Sequence, residues 1–179
     1  MVYILLGTGF EETEAIAPID LLRRAGVEVQ TVGLNGDLIY GGHGIGIAAD
    51  ITVEQMDLTQ LQALVLPGGL GGVASIKASC LAMDAIRFAY DNGKLIGAIC
   101  AAPTILAELG MLEGKTAVCY PGCEEGMRNV TIAEQAAVRD GNIITGTSAG
   151  CAIAFALALI EALKGKGEST RIAQQIVIR

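Results

Sequence analysis

Three short apolar runs, Val2–Leu6, Ala63–Leu66 and Leu95–Ile99, carry no charged residue along their length. Runs of this length without alternation are the mark of strands buried on both faces, as in a parallel sheet covered by helices. Residues 11–25 between the first two runs have helical spacing. Acidic side chains open this segment, and Arg23 and Arg24 close it before Gly26, which suits a helix dipole at both ends. Residues 27–34 then read as the next strand, giving a βαβ unit with a right-handed crossover. A second helical pattern covers 81–92 and stops at Gly93, and a third covers 101–109.

The rest of the chain is more broken. Residues 38–40 and 44–48 predict a small β-hairpin around Gly41-Gly42-His43, and 136–139 with 142–145 predict another across Asp140-Gly141. A short strand is expected at 116–119, an Ala/Leu-rich helix at 152–163 and a last short helix at 169–179. No linker, repeat or low-complexity stretch divides the chain, so residues 1–179 are expected to form a single domain. The pattern predicts an open, mostly parallel α/β sheet with helices on both faces. In such a sheet the functional site lies beyond the C-terminal ends of the strands.

Candidate chemistry collects at those ends. After the strand at 95–99 comes Cys100, flanked by small residues: Gly97 and Ala98 before it, Ala101 and Ala102 after it. Small neighbours permit a nucleophile elbow, a sharp strand-to-helix turn that presents one side chain. A helix N-terminus beside the sulfur would favour the thiolate. The same stretch also reads as a buried cysteine in a tight junction. After the strand at 63–66, Pro67-Gly68-Gly69 is a turn whose backbone N–H groups are able to face a ligand. After the first strand, Glu11 and Glu14 are three apart and share a helix face, while Glu12 points elsewhere and reads as part of a solvated helix start. Pro18, four residues after Glu14, has no N–H to offer the Glu14 carbonyl, so this helix is expected to bend locally. Together these ends describe a thiol nucleophile, a carboxyl partner and backbone donors for an oxyanion.

Composition narrows the field. A net charge of −7, with no basic run to offset it, argues against nucleic acid or an anionic membrane as partner. Five irregularly spaced cysteines, Cys80, Cys100, Cys119, Cys123 and Cys151, fit free thiols in a reducing cytoplasm rather than a disulfide framework. The apolar stretch 149–160 is too short to span a bilayer. Gly7-Thr8-Gly9 invites a dinucleotide reading, but the third glycine is missing and three glutamates crowd the place of a pyrophosphate. No cofactor is expected. One histidine among scattered cysteines is also poor material for a zinc site, so no metal is expected.

The pieces Gly9-Phe-Glu-Glu-Thr-Glu14, Val65-Leu-Pro-Gly-Gly69, Ala98-Ile-Cys-Ala-Ala-Pro103, Arg139-Asp-Gly-Asn-Ile-Ile-Thr145 and the helix around Phe155 occur in the order known from one family. The chain resembles the ThiJ/PfpI superfamily, in the branch of the Parkinsonism-associated protein deglycase and its bacterial relatives. The resemblance implies a flavodoxin-like three-layer sandwich that forms a homodimer. It makes Cys100 an oxidation-prone nucleophile, Glu14 its protonated partner, and Gly69 and Ala101, with Gly68 beside them, the oxyanion and substrate-binding donors. The activity implied is glyoxalase or deglycase chemistry on reactive carbonyls, either 2-oxoaldehydes or their early adducts on proteins, without a cofactor. A redox-sensing stress protein or chaperone is the alternative, and a Cys peptidase or amidase ranks lower.

Two departures from the family pattern bear on mechanism. Many relatives carry a histidine in the segment that here runs Cys119-Tyr-Pro-Gly-Cys-Glu-Glu-Gly-Met-Arg-Asn129, which has none. The sole histidine, His43, falls in the first hairpin, where the resemblance places an arginine facing the partner subunit's site. His43 is therefore a candidate to reach Cys100 across a dimer, or else an exposed hairpin-tip residue. The family's Arg-Gly-Pro-Gly loop is also altered, to Thr147-Ser-Ala-Gly150, which removes an anion contact.

Overall fold

The computed structural model describes residues 1–178. A seven-stranded sheet forms the middle layer. Its strands are β1 (Val2–Leu6), β2 (Val29–Gly33), β5 (Ile51–Thr52), β6 (Ala63–Leu66), β7 (Leu95–Ile99), β10 (Ala137–Asp140) and β11 (Ile143–Gly146). They lie in the order β10-β11-β7-β6-β1-β2-β5, all parallel except β10, which pairs antiparallel with β11. Two small sheets stand apart: the hairpin β3 (Leu38–Tyr40) with β4 (Gly46–Ala48), and the parallel pair β8 (Thr116–Ala117) with β9 (Thr131–Ile132).

The continuous apolar strands divide their side chains between two cores, as the period of two requires. Tyr3 and Leu5, Leu64 and Leu66, and Ile96 and Ala98 point to one face. There they meet α2 (Leu70–Ala78), α3 (Cys80–Asp91) and α4 (Pro103–Glu108) through Ile76, Ile86 and Ile105. Val2, Ile4 and Leu6, with Val65 and Ile99, point to the other face. That face is covered by α1 (Glu12–Arg24), α5 (Ala152–Lys164) and α6 (Lys166–Gln175), through Leu22, Phe155 and Ile172. Gly97 marks the tightest approach on this side: a Cβ there would stand 2.9 Å from both Phe155 and Leu159. The arrangement is the flavodoxin-like three-layer sandwich with its small hairpin.

Several boundaries differ from the sequence expectation. Helix α2 had no counterpart in the sequence reading, because Gly71 and Gly72 discourage a helix on propensity. They are glycines because α2 starts against the turn after β1, where a Cβ on Gly72 would come within 2.7 Å of the Phe10 Cα. The α4 helix starts at Pro103 rather than 101, since residues 100–102 form a separate turn and proline fits a first helical position. The strand expected at 116–119 ends at Ala117, and β5 and β9, two residues each, are too short to give a periodic signal. The last helix begins at Lys166 and ends at Gln175, while Arg179, the end of its expected span, lies outside the described residues. Helix α1 continues through Pro18.

The strand order sets the position of the site. From β1 the chain moves through α1 to β2 on one side, and later returns to β6 on the other side of β1. That reversal opens a crevice beyond the C-terminal ends of β1, β6 and β7, where an open α/β sheet holds its ligand.

Candidate active site

Cys100 follows the last residue of β7 and has φ +66°. This left-handed conformation costs a residue with a side chain roughly 1–3 kcal/mol, so the surroundings must hold it. Two backbone hydrogen bonds do: the Cys100 N–H donates to the Gly146 carbonyl at 2.9 Å, and its own carbonyl accepts from the Tyr120 N–H at 2.8 Å. Ala98 and Ala102 are fully buried on either side. The result is a strained elbow that presents the sulfur, half-buried, to a cavity of about 510 Å³.

Glu14, on the first turn of α1, reaches the same cavity from β1, and it is fully buried. Its Oε2 accepts the Gly68 N–H at 2.9 Å. Its Oε1 has no hydrogen-bond partner. The carboxyl lies side chain to side chain with the Cys100 thiol, in a contact looser than a standard hydrogen bond. Gly68 is what lets the two meet. A Cβ on Gly68 would stand 2.5 Å from Glu14 Oε2 and 2.7 Å from the Cys100 Cβ.

The electrostatics are those of one coupled pair. Burial pushes the Glu14 carboxyl up to about 7; the thiol of Cys100 and the N–H of Gly68 pull it down, and the charge of Glu11 adds to the rise. Burial also pushes the Cys100 thiol up to about 12, followed by the charge of Glu14 and the close approach of its carboxyl. The N–H groups of Gly69 and Ala101 face the sulfur and act in the opposite sense. Above about pH 7 the pair thus holds one proton between a sulfur and a carboxyl; that proton rests mainly on the sulfur, and the thiolate is the minor arrangement that places it on Glu14. The sequence expectation of a thiolate favoured by a helix dipole is corrected here. The helix begins three residues too late and has only six residues, whereas burial and a neighbouring carboxylate dominate.

The sequence candidates divide as follows. Cys100, Glu14, Gly69 and Ala101 come together around one cavity. Gly68 does not serve as an oxyanion donor, because its N–H is already spent on Glu14 Oε2. Glu12 is not a solvated residue: it is 4% exposed and clasps the hairpin tip. Its Oε1 accepts the backbone N–H of His43 at 2.7 Å, and its Oε2 stands 2.8 Å from His43 Nδ1. His43 is therefore tied to the glutamate of its own chain and does not line the cavity of its own Cys100. Glu11 Oε2 stands 3.6 Å from His43 Nδ1, so Glu11, Glu12 and His43 form a three-residue cluster able to take a metal ion, although Glu12 is already engaged on both oxygens.

The cavity has walls beyond these residues. Tyr120 and Cys123 line it from the turn after β8, and Ser148 and Gly150 line it from the loop after β11. The segment 119–129 was noted in sequence for the histidine it lacks and for its cysteines. The loop 147–150 was noted in sequence only for the arginine it lacks. No lysine, arginine or histidine lines this cavity among the described residues.

The family model described as DJ-1/PfpI matches residues 1–162. This chain belongs to the DJ-1/PfpI family. Among its relatives, the Drosophila melanogaster protein dj-1beta is 37% identical over 178 residues, covering 98% of this chain and 95% of that one. A Pyrococcus abyssi protein named a deglycase is 30% identical over 165 residues, covering 91% and 99%. The crystal structure of a DJ-1 superfamily protein from Salmonella typhimurium superposes with a TM-score of 0.93 at 32% identity, over 99% of this chain and 98% of that one. As a DJ-1/PfpI member the chain has a DJ-1-type function in the broad sense. No helix among the described residues is long and apolar enough to cross a membrane.

Proposed function

We propose that the protein converts small reactive carbonyl compounds, 2-oxoaldehydes or their early adducts on proteins, by covalent catalysis at Cys100 with Glu14 as proton partner. The observation that carries this reading is the buried Cys100–Glu14 pair, two adjoining groups that share one proton above about pH 7 beside an open cavity. The sulfur adds to the aldehyde carbon, the carbonyl electron pair moves to oxygen, and that oxygen takes the proton from Glu14. In a 2-oxoaldehyde the emptied carboxylate then takes the proton of the former aldehyde carbon, giving an enediol, and returns it to the neighbouring carbon, while the hydroxyl proton of the first oxygen passes to the second. Water releases the resulting thioester as a hydroxy acid and restores the thiol. Overall, one aldehyde and one water become one hydroxy acid, and no cofactor enters. The Gly69 and Ala101 N–H groups, which face the sulfur, stabilise the negative charge as it passes from sulfur to the adjoining oxygen.

The cavity supports a neutral substrate. Its charged groups are the carboxyls of Glu11 and Glu14, with no cation to receive a phosphate or carboxylate. Amide hydrolysis fits less well, because an amine leaving group needs an acid such as the absent local histidine. The test is methylglyoxal consumption by the wild type and by Cys100→Ser. The expected result is loss in the variant; equal rates would refute the proposal.

The same donors favour a second reading, oxidation of Cys100 to sulfenic or sulfinic acid as a stress signal, because the Gly69 and Ala101 N–H groups would hold a sulfinate oxygen. For either reading we propose a homodimer. Ile16 on α1 and Leu38, Tyr40 and Ile45 on the hairpin are exposed apolar side chains that a second copy would cover. Light scattering at micromolar concentration tests it, and a monomer mass would exclude it.

A further inference from the structure

The Cys100 cavity contains a second thiol. Cys123 lines the same space, and it is the only other cysteine that does so among the described residues. Cys119 and Cys151 line a different cleft, on the far side of the turn after β8, and Cys80 is exposed at the start of α3. We propose that Cys123 is a resolving cysteine, which captures oxidised Cys100 as an intramolecular Cys100–Cys123 disulfide.

The backbone brings the two residues together. The Tyr120 N–H donates to the Cys100 carbonyl at 2.8 Å, and the Cys123 N–H donates back to the Tyr120 carbonyl at 2.9 Å. Cys123 therefore closes a tight turn that is itself pinned to the elbow, and four residues of such a turn span less than about 7 Å between their end Cα atoms. Gly122, at φ +92°, gives this turn a conformation that only glycine takes easily. The residues that follow, 124–126, form one exposed 3₁₀ turn that has no buried residue and lies against α4. A disulfide requires Cα atoms within about 7 Å, so its closure draws Cys123 from its seat against the core toward the elbow and takes the exposed turn with it. Cys119 is the rival partner by sequence distance, but it is buried and lines the other cleft.

The chemistry balances in two steps. A hydroperoxide supplies the oxidising equivalent: the Cys100 sulfur attacks the terminal peroxide oxygen, the O–O bond breaks, and the departing oxygen takes the proton of the Cys100–Glu14 pair. Cys100 is now a sulfenic acid. The Cys123 sulfur attacks the Cys100 sulfur, an S–S bond forms, the S–O bond breaks, and hydroxide leaves with the thiol proton of Cys123 as water. A dithiol reductant reverses the disulfide. This capture competes with a second peroxide, which would carry Cys100 on to the sulfinic acid that no thiol reduces.

The inference rests on the nucleophilic Cys100 of the proposed function but not on carbonyl chemistry. Wild type, Cys123→Ser and Cys119→Ser are each treated with a small excess of hydrogen peroxide and read by intact mass, thiol count and peptide mapping. The expected wild-type product is two hydrogen masses lighter, has lost two of its five free thiols and contains a Cys100–Cys123 linked peptide. Cys119→Ser behaves the same, and Cys123→Ser instead gains two oxygen masses on Cys100. Sulfinic acid forming at Cys100 equally fast in wild type and Cys123→Ser overturns the inference and leaves the nucleophile intact, as does a Cys119–Cys123 disulfide. A Cys100 untouched in all three proteins overturns the inference together with the reactive thiol itself.

Discussion

Replacing Glu14 by glutamine isolates the cost of burying this carboxyl. Its folded pKa is raised from the usual 4.5 to about 7, so the folded state holds a proton that the unfolded chain has lost between those values. Stability linked to Glu14 is therefore complete below pH 4.5, falls as pH rises through about 7, and is constant beyond. At about 1.4 kcal/mol per pH unit, the fall amounts to roughly 3 kcal/mol. Glutamine keeps an oxygen for the Gly68 N–H, which the wild type satisfies at 2.9 Å, and has no proton to lose. Urea unfolding of wild type and Glu14→Gln from pH 4.5 to 8.5 measures the difference. The variant gains on the wild type as pH rises, by roughly 3 kcal/mol in total, and is the more stable protein at pH 8. A difference that stays flat across this range would show that Glu14 ionises freely in the folded state, and the shared-proton argument would fail with it.

Gly68→Ala forces a methyl into the 2.5 Å gap beside Glu14 Oε2, so the elbow must shift. The expected cost is about 1–3 kcal/mol, seen as a Tm lowered by several degrees together with lost methylglyoxal turnover; an unchanged Tm would mean the gap is not tight. At the hairpin tip, Glu12 lies below its usual 4.5 and His43 above its usual 6.5. Their clasp is whole between those values, is lost as pH falls through the lowered Glu12 pKa, and is lost as pH rises through the raised His43 pKa. An NMR titration of the His43 ring should show its midpoint return toward 6.5 in Glu12→Gln; an identical midpoint in both proteins contradicts the clasp.

Much of the architecture was legible because parallel strands buried on both faces leave uninterrupted apolar runs, as β1, β6 and β7 do. The hairpins were legible because Asp140-Gly141 and Gly41-Gly42 have few other uses. Helix α2 was not, since Gly71 answers to the close approach of Gly9 and Gly72 to that of Phe10, tertiary facts with no local signal. At the site, Cys100, Glu14 and Gly69 were legible as residues at the ends of successive strands. The role of Gly68 was not, because whether an N–H meets a substrate or a glutamate depends on where the helix N-terminus docks. Glu12 was misread for a related reason: helix periodicity turned it away from Glu14, and only the returning hairpin buries it. Tyr120 and Cys123 follow the strand expected at 116–119, but nothing local turns that segment toward Cys100.

The central claim is that one shared proton couples Cys100 and Glu14 during carbonyl addition. Its most direct test is kcat/KM for methylglyoxal between pH 5 and 9 in wild type and Glu14→Gln. The wild-type rate should rise through about 7, as the pair gives up its first proton, and then level. Glu14→Gln should lose that inflection and run slower by roughly a hundredfold, the scale of a lost general acid–base group, while folded and more stable at pH 8. A variant that keeps the wild-type rate and the same inflection would contradict the account.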